Sequence, residues 1–198
     1  EIHVTSSKEL RTHGTDVVLW ADSDNNSAGY VRLLSGSQIC TTAGTCNSTN
    51  TGGGDIVIGG GAADLANTLR PAGPAAGRGS TYNASGTSDT TGVQIGSLGV
   101  GGGGMRFYSA GGDILVQGRM QPTLANNAWG AGIAVVAGST IHSGNGKINL
   151  LGETTAAGGG GPDGNIEFGA WGSGTTVLTS LSTASDSVLI QGKESGTA

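Results

Sequence analysis

One short pattern keeps returning along this chain: a turn ending in glycine, an alternating strand, then glycine again. It reads Gly14-Thr15-Asp16-Val17-Val18-Leu19, Gly54-Asp55-Ile56-Val57-Ile58-Gly59 and Gly112-Asp113-Ile114-Leu115-Val116-Gln117-Gly118. It continues as Gly146-Lys147-Ile148-Asn149-Leu150-Leu151-Gly152 and Asp186-Ser187-Val188-Leu189-Ile190-Gln191-Gly192. A second class alternates with the first: Ile2-His3-Val4, Tyr30-Val31-Arg32-Leu33, Gly92-Val93-Gln94-Ile95, Gly132-Ile133-Ala134-Val135 and Asn165-Ile166-Glu167-Phe168. Between them falls a short third element, as in Gly36-Ser37-Gln38-Ile39, Gly138-Ser139-Thr140-Ile141 and Gly174-Thr175-Thr176-Val177. A fixed internal repeat decides architecture before any local reading does.

Side chains alternate across a strand, so Ile56 and Ile58 share one face and Val57 takes the other. The same alternation gives inward pairs Ile114/Val116, Ile148/Leu150, Val188/Ile190, Val31/Leu33, Val93/Ile95 and Ile166/Phe168. No single unit can bury such a stripe, but coils stacked about 4.8 Å apart bury it and pair their backbones. The expected fold is all-β: a right-handed parallel β-helix (β-solenoid) with loop insertions. It forms one domain over residues 1–198, with five imperfect units starting near Ile2, Val31, Val93, Ile133 and Ile166. Irregular insertions are expected near 59–91 and 120–129, with one or two helical turns over 62–70.

Composition fits and narrows this. Forty of 198 residues are glycine, yet no three-residue glycine period exists, which excludes collagen. With 35% hydrophobic and 12% charged residues, the chain has apolar matter enough to fold. The net charge of −5, without a basic stripe, gives no electrostatic support for nucleic acid as a partner. No apolar run reaches the roughly 20 residues of a membrane span. The beginning, Glu1-Ile2-His3-Val4, has no signal-peptide pattern and reads as a mature, processed or excised start. Cys40 and Cys46 flank a glycine-containing loop that a disulfide could close; two free thiols are the alternative. An oxidising, extracellular compartment would make that bond persist.

Outward positions differ between the classes. His3, Arg32, Gln94, Ala134 and Glu167 read as a solvated face. Val18, Val57, Leu115 and Leu189, with Asn149 among them, form an apolar face expected to be an interaction face covered by inserted loops or another molecule; the alternative is that such residues simply suit exposed strands. Tyr82, Trp129 and Trp171 are candidate ligand-facing aromatics, or covers for the core ends.

The stretches Asp16-Val17-Val18-Leu19-Trp20-Ala21-Asp22 through Tyr30-Val31-Arg32-Leu33, then Gly52-Gly53-Gly54-Asp55-Ile56-Val57-Ile58-Gly59, resemble the passenger repeats of filamentous-haemagglutinin-like secreted bacterial adhesins. Gly111-Gly112-Asp113-Ile114-Leu115-Val116 and Gly164-Asn165-Ile166-Glu167-Phe168 extend the likeness over nearly the whole chain. The resemblance implies a right-handed β-helix, export to the cell surface, and attachment or matrix building without catalysis. The family's N-terminal secretion domain is not present, so the chain would be an interior or processed portion.

Chemistry is thinly signalled. The match Gly99-x-Gly101-x-x-Gly104 opens no strand–helix unit, so no dinucleotide or other cofactor is expected. His3, His13 and His142 lack metal-ligand spacing. Asp22-Ser23-Asp24-Asn25-Asn26 begins like a calcium loop, but Ser27 and Leu33 replace its glycine and its glutamate. Asp16, Asp55, Asp113, Asp163 and Asp186 sit singly in turns, where a carboxylate caps backbone amides rather than joining a catalytic pair. The expected function is a non-enzymatic extracellular structural or adhesive segment. Its partners would be neighbouring coils, host or matrix glycans and proteins, or itself, end to end or side by side. A self-assembling filament subunit is the alternative, and a polysaccharide-active enzyme a remoter one.

Overall fold

The computed structural model describes residues 1–24, 29–64, 71–76, 91–97, 103–120, 130–154, 164–170 and 173–194. Among them there are strands and no helix. Three parallel sheets run the length of the molecule. The first stacks β1 (Ile2–Val4), β4 (Val31–Leu33), β9 (Val93–Ile95), β12 (Ala131–Val136) and β15 (Gly164–Ala170). The second stacks β2 (Glu9–Arg11), β5 (Gln38–Cys40), β10 (Arg106–Tyr108), β13 (Thr140–Gly144) and β16 (Val177–Ser180). The third stacks β3 (Val17–Trp20), β6 (Ile56–Asp64), β11 (Ile114–Arg119), β14 (Ile148–Thr154) and β17 (Val188–Glu194). Each coil visits the three sheets in order, which is a parallel β-helix.

Register turns the alternation of each strand into five inward rows. Two lie in the first sheet, Ile2-Val31-Val93-Ile133-Ile166 and Val4-Leu33-Ile95-Val135-Phe168. The second sheet adds Leu10-Ile39-Phe107-Ile141-Leu178. The third adds Val17-Ile56-Ile114-Ile148-Val188 and Leu19-Ile58-Val116-Leu150-Ile190. From the second to the fourth coil these rows form one fully buried core. A slip of one residue would turn a whole strand's apolar set outward, so burial itself fixes the register.

Two corner strands, β2 and β10, had no counterpart in the glycine-led pattern. The insertion after Ile58 is also more ordered than its composition suggests. Past Ile58, β6 pairs antiparallel with β7 (Pro71–Gly73), through Gly60 with Gly73 and Asp64 with Pro71. The chain then returns as β8 (Ala75–Ala76), which pairs in parallel with Gly118 and Arg119. Ala75 thereby takes the place beside Gly118 that Gly60 would have held, and it is buried in the core. Ala62–Asp64, expected within a helical turn, are the end of β6 instead; residues 65–70 lie outside the described set.

Candidate functional site

The repeating polar side chains gather at the corners. Ahead of the third sheet, Asp16 Oδ1 accepts the backbone N–H of Asp55 and Asp55 Oδ1 that of Asp113, both at 2.8 Å. Asp113 Oδ1 accepts from the Lys147 N–H, again at 2.8 Å. Each carboxylate thus ties one coil to the next, as expected of turn aspartates. Asp163 lies outside the described residues, and Asp186 is one position out of this ladder, with Ser187 in its place.

A second ladder, of hydroxyls, runs along the same corner and was missed in the sequence. Thr12 donates to the Thr15 carbonyl and Ser109 to that of Gly112. Ser143 Oγ donates to Gly146 O at 2.6 Å, and Thr41 Oγ1 to Gly54 O at 2.7 Å. Thr41, Ser109 and Ser143 are buried. The spacing Ser-x-x-Gly at 109–112 and 143–146 carries the signal, since a hydroxyl that bonds three residues along makes a turn of its own.

Cys40 and Cys46 form a disulfide, with Cα atoms 5.9 Å apart. It closes the loop after β5, and Cys40 is fully buried. Glu9 brings a carboxylate oxygen to 3.2 Å from Cys46 Sγ and pairs with Arg11 at 2.6 Å. Glu9, Cys40 and Cys46 are the one close grouping of metal-ligating residue types among the described residues. With both sulfurs joined they offer no thiolate, only one carboxylate already paired. Asp22 is buried and Asp24 exposed beside Glu1 and Trp20, lining an acidic cleft of about 340 Å³. Residues 25–28 of the calcium-like segment lie outside the described set, as do all three candidate aromatics, Tyr82, Trp129 and Trp171.

His142 lies on the outer side of the second sheet, 6% exposed. Burial lowers its pKa, opposed by a backbone hydrogen bond. Its Nδ1 accepts the Gly144 N–H at 3.1 Å.

The two outer faces differ from the simple sequence picture. On the first sheet, Gln94 and Ala134 are buried, so the solvated face expected there narrows to exposed His3 and half-buried Arg32 and Glu167. Gln94 is held by its own amide, which donates to Gly96 O at 2.6 Å. On the third sheet, Val57 is 2% exposed, Val18, Leu115 and Asn149 are half-buried, and Leu189 is 39% exposed. Further along this face Glu153 meets Arg119 at 2.8 Å and Lys193 at 3.4 Å.

The fifth coil departs most from expectation. Phe168, Val188 and Ile190 stand on inward rows but are 41%, 41% and 49% exposed. Their alternation is as read from the sequence; among the described residues no further strand stacks on them. At the first coil, Val4 and Val17 are buried, while Ile2, Leu10 and Leu19 are half-buried. The two ends of the rod are therefore unlike. No protein-family model matches the chain, and no curated protein or solved structure matches it.

Proposed function

We propose that this chain is a non-enzymatic structural segment of an exported bacterial surface protein, of the adhesive kind its repeats resemble. One observation carries the reading. The carboxylates that the solenoid aligns are engaged, coil after coil, with backbone amides. Catalysis on a polysaccharide needs carboxylates facing a substrate, with one poised to give or take a proton. Here the recurrent polar chemistry joins coils, and the recurrent apolar chemistry fills them. An intrachain disulfide suits an oxidising compartment, which supports export. Neutral and acidic polysaccharides incubated with the purified chain should release no reducing ends. The same protein on beads should be retained on surfaces coated with matrix glycans or proteins. Release of reducing ends by the purified chain, lost on heat denaturation, would overturn the reading.

A further inference from the structure

We propose that the reduced chain holds a zinc ion, or a similar borderline divalent metal, on the Cys40 and Cys46 thiolates and the Glu9 carboxylate, and that metal and disulfide exclude each other. This goes beyond the structural reading and does not rest on it. Strand alternation builds the site. β2 and β5 pair in parallel, with Glu9 beside Gln38, Leu10 beside Ile39 and Arg11 beside Cys40. Leu10 and Ile39 pack into the core, so Glu9, Arg11 and Cys40 share the outer face of the second sheet. Cys46 returns to that face at the end of the loop, its Cα 5.9 Å from that of Cys40. A Glu9 carboxylate oxygen lies 3.2 Å from Cys46 Sγ. The ligating atoms of the three residues all fall within 4.8 Å of one another.

Zinc takes thiolate sulfur at about 2.3 Å and carboxylate oxygen at about 2.0–2.2 Å, in a tetrahedron. Two sulfurs on one zinc are then about 3.8 Å apart, and a sulfur and an oxygen about 3.6 Å. With the disulfide opened, rotation about the two Cα–Cβ bonds supplies the first spacing, and the second is nearly present already. The loop has anchors besides the disulfide. Arg11 Nη1 donates to Gly44 O at 2.7 Å, Thr42 Oγ1 accepts the Gly44 N–H at 3.2 Å, and Cys40 O accepts the Thr12 N–H at 3.0 Å. Charge agrees with geometry. Two thiolates and a carboxylate leave one negative charge on bound zinc, which the Arg11 guanidinium, 2.6 Å from Glu9, balances. The same guanidinium orients the carboxylate from behind, as partners of metal ligands do. Cys40 is fully buried and Glu9 exposed, so the site has a sheltered floor and an open entry, and solvent takes the fourth position. Soft thiolates select zinc over calcium or magnesium. Once the sulfurs are joined, neither carries the charge that a metal needs. A chain in a reducing compartment therefore holds the metal. Thiol exchange with a partner disulfide, which takes the two electrons, closes Cys40 to Cys46 and expels it.

The test compares the oxidised chain with the chain reduced anaerobically by a phosphine, which takes an oxygen from water as the disulfide becomes two thiols. Cobalt(II), a spectroscopic substitute for zinc, should bind the reduced chain at one equivalent, each thiol releasing its proton. Thiolate-to-cobalt charge-transfer bands and the visible bands of a tetrahedral ion should appear, and added zinc should bleach them. The oxidised chain should show neither. Glu9→Gln should weaken zinc binding roughly tenfold or more, as loss of even a supporting partner does. Glu9 is far from the cysteines in sequence, so its effect reports the folded site rather than a loose dithiol. Cys46→Ser should lose the charge-transfer bands of a thiolate pair. Bands from the oxidised chain, none from a reduced chain that keeps its β-rich circular dichroism spectrum, or equal affinity in Glu9→Gln would each overturn the proposal. So would a reduced chain that unfolds and that zinc does not refold.

Discussion

His142 shows how a side chain outside the apolar rows still answers to the fold. Its imidazole accepts the Gly144 N–H while buried, and burial lowers its pKa below the usual 6.5. Above that value neither the folded nor the unfolded chain binds a proton there. As pH falls below it, the unfolded chain takes up a proton that the folded one resists, so stability declines until the lowered folded value is passed. His142→Asn retains an acceptor and removes the titration. Urea unfolding from about pH 8 to pH 5 should show a downward slope in the native chain that the variant lacks; equal slopes would refute the assignment. None of this was legible beforehand. A lone histidine after Ile141 has no periodic signal, whereas the turn aspartates did, because Asp16, Asp55 and Asp113 each precede the same strand. The hydroxyls of Thr41, Ser109 and Ser143 were hidden by the abundance of serine and threonine around them.

The short corner strands of the second sheet were readable where one glycine marked the corner ahead of them, and unreadable where none or several did. At β2 the left-handed position is taken by Ser7, with φ 59°, so no glycine announces Glu9–Arg11. At β10 the reverse holds: four glycines, Gly101 to Gly104, precede Met105, and no single one stands out. The hairpin of β6 and β7 was unreadable for a different reason, since Gly59, Gly60, Ala62 and Ala63 carry too little side chain to show a period of two. Glycine has two distinct uses at these corners, and they separate by substitution. A Cβ on Gly112 would lie 2.3 Å from the Gly54 carbonyl carbon, which is backbone and cannot yield without parting the coils. On Gly52, φ +76°, it would meet nothing within 4 Å. Gly112→Ala should therefore cost about 3 kcal/mol through overpacking, and Gly52→Ala about 1 kcal/mol through its left-handed backbone alone. Denaturant midpoints of the two variants measure the gap, and equal losses would contradict close coil stacking as the reason for glycine at 112.

A solenoid couples each coil only to its neighbours, so stability is a profile along the axis rather than one number. The middle coils have a neighbour on both sides; the fifth has one. Ile114 and Ile190 occupy adjacent inward rows of the third sheet, at 0% and 49% exposure. Truncating a buried isoleucine to alanine costs roughly 2–5 kcal/mol, so Ile114→Ala should approach that range. Ile190→Ala, half in solvent already, should cost about 1 kcal/mol on area alone. Hydrogen exchange resolves the same profile without substitution. The Ile148 N–H is given to Ser187 O at 2.9 Å, while the corresponding Val188 N–H points off the end of the coil. In a dilute sample the Ile148 amide should exchange only with large-scale opening, and the Val188 amide orders of magnitude faster. Slow exchange at Val188 in a demonstrably monomeric sample would mean that the fifth coil is as well covered as the fourth, and the profile along the axis would have to be given up.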